Sequence, residues 1–174
     1  MEPIYYSQYD PLWASIPYPS QDNPNGTILT SACDPTCAAM VVATLVNPKI
    51  TPADMAKLAI KLGDRVNGGT EDTFNFHVAK EYNLSFSQIL KDNVIKDRAG
   101  SLKQAIVVLQ NGKLVICRMQ DWFKVGAGHF ILAWGVSGNQ IHIHDPASKA
   151  NTAKLWDQSV FLEKCIGYFI FSKS

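Results

Sequence analysis

One cysteine, one histidine and one aspartate in this sequence stand where a fold could join them as nucleophile, base and orienting group: Cys33, His129 and Asp145. A thiol nucleophile needs a base within hydrogen-bond reach and a third group to hold that base. Cys33 lies in Ser31-Ala32-Cys33-Asp34-Pro35-Thr36, ahead of the apolar run Cys37 to Val46. Asp34 suits an N-cap and Pro35 the first helical position, so the spacing predicts a buried helix from about Pro35 to Leu45 with Cys33 just outside its positive end. Such a field favours the thiolate and lowers a thiol pKa from ~8.5.

His129 follows Gly126-Ala127-Gly128 and opens the apolar stretch Phe130 to Trp134, which puts a polar ring at the rim of a sheet. Asp145 ends a second extended run, Gln140 to His144. Alternation places it on the apolar face with Ile141 and Ile143, and turns His142 and His144 the other way, towards solvent. Ser137-Gly138-Asn139 makes the two strands a tight antiparallel hairpin, and counting outward from Gly138 brings His129 and Asp145 to the same rim. Taken singly, each residue has a plainer reading. Cys33 would be a small buried hydrophobe, His129 a satisfied rim histidine, and Asp145 the turn residue of an Asp-Pro pair. Together these would be three coincidences. His77 sits within a predicted helix, where packing or a hydrogen bond accounts for it.

Other elements must position these residues. The first 30 residues, with Pro11, Pro17, Pro19 and Pro24, read as an irregular arm whose Tyr5, Tyr6, Trp13 and Tyr18 wrap the core. Thr51-Pro52-Ala53-Asp54 opens a helix that Gly63 ends. Thr70 caps a third helix through Phe74, Val78 and Tyr82, after a Gly68-Gly69 loop. Ser101-Leu102-Lys103-Gln104 caps a fourth, stopped by Asn111-Gly112. Beyond Gly112 the pattern turns extended over 113–119, 130–136, 140–144 and 168–171, with a helix over about 154–164 before the last strand. Helices first and antiparallel strands later is the α+β pattern, one helical layer on one sheet, in a single domain over 1–174.

With 47% hydrophobic and 18% charged residues and a net charge of +1, the composition is that of an ordinary globular chain and carries no charge signature for nucleic acid or an anionic membrane. No apolar run is long enough to span a bilayer, and Met1 to Gln8 lacks the form of a secretory signal, so synthesis in the cytoplasm is expected. The four cysteines are then expected as free thiols, without disulfides. Cys33 and Cys37 have no second pair of zinc spacing, so neither a metal nor another cofactor is expected.

The residues that carry the chemistry also carry a likeness. Ser7-Gln8-Tyr9-Asp10-Pro11-Leu12-Trp13, Ala32-Cys33-Asp34-Pro35-Thr36, Gly128-His129-Phe130 and Asp145-Pro146 resemble, in order, the recurring motifs of the C39-like group of papain-like cysteine peptidases. The stretches Thr51-Pro52 to Gly63 and Gly68-Gly69-Thr70 look like C39-like domains of cell-wall hydrolases from Gram-positive bacteria and their phages. The resemblance implies a papain-like fold, with N-terminal helices packed on a C-terminal antiparallel sheet. It makes Cys33 the nucleophile, His129 the base, Asp145 the orienter and Gln8 the side-chain donor to the oxyanion. Gln8 rests on the resemblance alone. The departure is Asp34, where the family mostly has glycine: a carboxylate there opposes the thiolate unless, as N-cap, it turns into the helix.

The function so implied is that of a cysteine endopeptidase acting on the peptide part of bacterial peptidoglycan, as in an endolysin, at the wall after release and alone or fused to a wall-binding module. The alternatives are a peptidase that trims leader peptides after Gly-Gly, and an inactive papain-like module with a binding or structural role. Because Cys37, Cys117 and Cys165 all sit in apolar patterns, brief iodoacetamide treatment followed by mass mapping should label Cys33 first. Labelling of Cys37 ahead of it would remove Cys33 as nucleophile.

Overall fold

The computed structural model describes residues 1–123, 125 and 128–174. Gly126 and Ala127, which the sequence placed before the histidine strand, lie outside the described residues. The proline-rich arm runs as turns with a Pro17–Thr27 bridge, then closes in a short helix, α1 (Ile28–Ser31). It wraps the core as expected: Tyr18 is wholly buried, Trp13 nearly so, and Tyr5 and Tyr6 pack against the same cluster.

The helix that carries the cysteine, α2 (Cys33–Leu45), starts earlier than the capping pattern predicts. Ala32 is its N-cap, Cys33 its first residue, and Asp34 lies inside the first turn. Proline is tolerated anywhere in a first turn, since none of those N–H groups has an intrahelical partner, so Pro35 does not mark the first position. Every residue from Asp34 to Ala43 is buried. α3 (Pro52–Leu62) matches its signature: Asp54 accepts from the Thr51 N–H at 2.8 Å, and Gly63, at φ 77°, takes the left-handed terminus.

Thr70 does not cap the next helix. It belongs to a small hairpin, β1 (Arg65–Val66) with β2 (Gly69–Thr70), whose turn needs Gly68 at φ 81°. Arg65 holds that hairpin by donating to the carbonyls of Tyr18, Val66 and Gly69. α4 (Thr73–Glu81) follows, then two elements the pattern did not show: the strand β3 (Leu84–Ile89) and the short helix α5 (Lys91–Lys96). α6 (Arg98–Gln110) starts before Ser101 because Asp97 accepts from Gly100 N–H.

The extended half forms β4 (Leu114–Met119), β5 (His129–Ser137) and β6 (Gln140–His144), the last two joined by the foreseen hairpin. The helix expected over 154–164 is divided. α7 (Lys149–Thr152) precedes an edge strand β7 (Trp156–Asp157), and Asp157 then caps α8 (Gln158–Lys164) before the long strand β8 (Cys165–Lys173). The six-stranded sheet has the order β3-β8-β4-β5-β6-β7 and is antiparallel throughout.

The α+β class is the one expected, but the sheet carries helices on both faces rather than one. α2, α3 and α4 cover Ile116, Phe130, Leu132, Phe169 and Phe171, while α5, α6 and α8 cover Cys117, Ile131, Ala133, Ile143 and Ile170. Strands buried on both faces read as continuous apolar runs, as in Leu114-Val115-Ile116-Cys117. The two histidines expected to face solvent are corrected on the other face. His144 is 1% exposed, because the arm covers its face with Glu2 and Tyr5, and His142 is only half-exposed against Trp134.

α2 is the piece on which the first layer turns. Met40, wholly buried at its centre, should therefore lose about 2–5 kcal/mol of stability on Met40→Ala, read as a shift of the urea unfolding midpoint.

Candidate active site

Asp145 sits just past the end of β6 with no solvent exposure, so its carboxylate depends on the donors the protein supplies. His129, the first residue of β5, donates from Nε2 to Asp145 Oδ1 at 2.7 Å. Trp122 Nε1 and Asn151 Nδ2 donate to Oδ2 at 2.8 and 2.9 Å, and the Ala147 N–H donates to Oδ1 at 2.9 Å. Burial alone would raise the Asp145 pKa; the hydrogen bond and charge of His129, with Asn151 and Trp122, bring it below the usual 3.8. Asp145 is thus held ionised, and it fixes the imidazole with Nε2 facing away from the thiol.

Cys33, half-buried where the other three cysteines are buried, opens on a cleft of about 500 Å³ whose walls include Gly68-Gly69-Thr70, Gly128 and Phe130. Its thiol and the His129 ring each shift the other's ionisation. Burial works against ionising the thiol. The hydrogen bond and charge of His129, with the backbone N–H groups of Phe130 and Asp34, outweigh it and set the pKa below the ordinary 9.0. Burial likewise opposes a charged His129, but Asp145 and Cys33 raise its pKa to about 9. Both shifts run towards a thiolate beside an imidazolium, the arrangement that suits a thiol nucleophile with an acid at hand.

A family model described as Peptidase_C39 like matches residues 13–169, most of the chain. The chain belongs to the peptidase C39-like family. No curated protein sequence matches it. Among solved structures, a Bacillus anthracis protein described as a C39-like peptidase aligns with TM-score 0.59 at 15% identity, over 98% of this chain and 94% of its own. The peptidase domain of Streptococcus ComA, a bifunctional ABC transporter involved in a quorum-sensing pathway, aligns with TM-score 0.53 at 14% identity, over 83% of this chain and 93% of its own. At such identities the likeness is one of fold. Family and fold are consistent with a cysteine peptidase.

Within this C39-like chain the remaining expectations fare differently. Gln8 is buried beside α1: its Nε2 donates to Leu29 O at 2.6 Å and reaches Ile28 O only at 3.5 Å, so one of its two N–H groups is lightly engaged. Asp34 is not the N-cap. Its carboxyl is buried and turns to α4, where Asn75 Nδ2 donates to both oxygens. His77 does make a hydrogen bond, from Nδ1 to Asp64 Oδ2 at 2.7 Å, away from the Cys33 cleft. Among the described residues no cluster of three or more His, Cys, Asp or Glu side chains is arranged to hold a metal ion.

Reading the sequence missed Trp122, Asn151 and Tyr5. Trp122 packs edge-on against Phe123 and at a tilt against Trp156 while its N–H meets Asp145. The Tyr5 hydroxyl donates to the Asp145 carbonyl at 3.0 Å. A buried-type tryptophan ten residues or fewer from a rim histidine was visible, but nothing in the pattern said that its N–H needed a carboxylate.

The stability contributed by protonating His129 is complete below its ordinary 6.5 and is lost as pH rises through about 9. Cys33→Ala removes two of the interactions that raise it, so His129 in the variant should titrate at a lower pH, followed by its ring proton resonances. An unchanged midpoint would mean that the thiol does not interact with the ring.

Proposed function

We propose that the chain is a cysteine endopeptidase in which Cys33 attacks a peptide carbonyl. The observation that carries this is the buried Asp145–His129 pair turned towards a half-exposed cysteine at a helix start. The Cys33 thiolate adds to the carbonyl carbon and the carbonyl electron pair moves to oxygen. When the tetrahedral adduct collapses, the C–N bond breaks, His129 gives its proton to the leaving amine, and a thioester to Cys33 remains. His129, now neutral, takes a proton from water; hydroxide adds to the thioester and the C–S bond breaks, which restores the thiolate and the imidazolium. The Cys33 N–H, as the first of a helix, has no intrahelical partner and is free to meet the oxyanion, with the lightly engaged N–H of Gln8 as the second donor.

The substrate we favour is the peptide part of bacterial peptidoglycan, met at the wall after release. Its support is the likeness of Thr51–Gly63 and Gly68-Gly69-Thr70 to wall-hydrolase domains, and the latter stretch walls the Cys33 cleft. Work with or in fusion to a wall-binding module belongs to the same reading. No helix among the described residues is long and apolar enough to cross a membrane.

Purified cell wall and a peptide with a Gly-Gly site, each incubated with wild type, Cys33→Ala and Gln8→Ala, test it. Release of wall peptides by wild type, none by Cys33→Ala, and ~10²-fold slower release by Gln8→Ala are expected, the last read at a temperature where the variant is fully folded because it loses the bond to Leu29 O. Cleavage of the Gly-Gly peptide alone would transfer the chain to leader processing. Cleavage of neither would favour the inactive module.

A further inference from the structure

The Cys33 cleft holds a carboxyl group that the reaction above leaves unused. Asp34 follows the nucleophile in α2, lines the same cleft, and is 1% exposed. Its two oxygens share a single side-chain donor, Asn75 Nδ2, at 3.3 and 3.1 Å, and Asn75 is itself wholly buried. Asn75 Oδ1 lies buried with no partner, an unclaimed acceptor on that same amide.

No ion pair reaches Asp34 among the described residues. The titratable groups around it are thiols, a phenol and acids: Cys33 and Cys37 on its own helix, Tyr18 in the arm, Asp64 after α3 and Asp72 before α4. Asp22 and Glu71 add negative charge along the cleft. The two arginines there are engaged elsewhere, Arg118 with Asp72 at 2.9 Å and Arg65 with backbone carbonyls and the Tyr18 ring. His129 is committed to Asp145 and Cys33. A buried carboxylate with one amide donor and no cation is strongly disfavoured, whereas the neutral acid asks only for that amide and an acceptor for its own O–H.

We propose that Asp34 is a positioning residue that works as an uncharged carboxylic acid: hydrogen-bonded to Asn75, it anchors the first turn of α2 under Cys33 and keeps the cleft floor free of negative charge. This rests on Cys33 being the nucleophile. Negative charge develops beside Asp34 twice, on the thiolate and on the tetrahedral oxyanion, and an ionised neighbour would repel both. The protonated acid repels neither, which reconciles a carboxyl at this position with a working thiolate. Burial, then the Cys33 charge and the nearby acids, push its pKa well above 3.8, so its proton stays bound where an ordinary carboxyl has lost it and leaves only at higher pH. The nucleophile is weakened from there upward.

The test is the charge state of Asp34 and its effect on Cys33, read without any peptide substrate. Infrared difference spectra between wild type and Asp34→Asn at neutral pH should contain the C=O stretch of a protonated carboxyl that the variant lacks. Alkylation with neutral iodoacetamide and anionic iodoacetate should show the iodoacetate-to-iodoacetamide rate ratio at Cys33 falling about tenfold further in wild type than in Asp34→Asn as pH rises, since the anionic reagent meets the new charge. If the variant does not fold, the carboxyl 13C shift of labelled wild type against pH replaces it. A carboxylate at neutral pH by either spectroscopy, or rate ratios that fall alike in both proteins, would overturn the proposal. Peptidase failure beside a protonated Asp34 would overturn the substrate reading and leave this one standing.

Discussion

The hydrogen bond from His129 Nε2 to Asp145 Oδ1, 2.7 Å long and closed to solvent, is the constraint to which much of this fold answers. A carboxylate in that position is stable only if its lone pairs are met, and they are met from several elements: the start of β5, Trp122 between β4 and β5, the turn after Asp145, and Asn151 in α7. Each donor is in turn held. Trp156 packs against Trp122 and donates from Nε1 to the Asn151 carbonyl at 2.9 Å, and Thr152 Oγ1 accepts from the Asp145 N–H. The edge strand β7 is what brings Trp156 there. An element that as sequence reads only as part of a helix is needed to complete the surroundings of the buried charge.

On the opposite side, Cys33 is carried by a helix with no solvent-facing stripe. Burying α2 between the sheet and α3 fixes its axis and therefore the direction of its first turn, which points Cys33 at the rim where β5 begins. The same burial desolvates the thiol, which by itself would suppress the thiolate, as it does for Cys37 one turn further in. What separates two cysteines four residues apart is access to the His129 ring and to the N–H groups of Phe130 and Asp34. Reactivity here is a property of the helix end and its neighbours rather than of the residue type.

Much of this was legible because the signals were local. The Thr51 cap, Gly63, the Gly138-Asn139 turn and the alternation around Asp145 each depend on a few adjacent residues, and the hairpin register then placed His129 and Asp145 together by counting. The misreadings share a different cause. β3 shows weak alternation, Leu84-Ser85-Phe86-Ser87, and is a strand because β8 offers it a partner far away in sequence. β7 is two residues paired with β6. Asp34 has good capping chemistry, yet it turns to Asn75, since tertiary packing outranks a local propensity. His144 was assigned to solvent because alternation describes faces and cannot say that the arm covers one of them.

That arm also ties the site to the order in which the chain can assemble. Tyr5 OH donates to Asp145 O across 140 residues of sequence, Gln8 N–H donates to Pro146 O at 2.8 Å, and Trp13 Nε1 holds Ser7 O at 2.9 Å, so the segment carrying Gln8 is fastened directly to the segment carrying Asp145. Loop-closure entropy grows only slowly with length, so such separation weighs little on stability, but the contact cannot form until both ends are in place. The sheet and its two helical layers can be largely built while Asp145 still lacks the Tyr5 hydroxyl on its carbonyl and Gln8 is not yet beside α1. Docking of the arm is therefore the step that seats Gln8 beside α1 and adds the Tyr5 hydroxyl to the Asp145 carbonyl. A chain whose arm is undocked keeps the His129–Asp145 pair but lacks the contacts that fasten Gln8 to the segment after it.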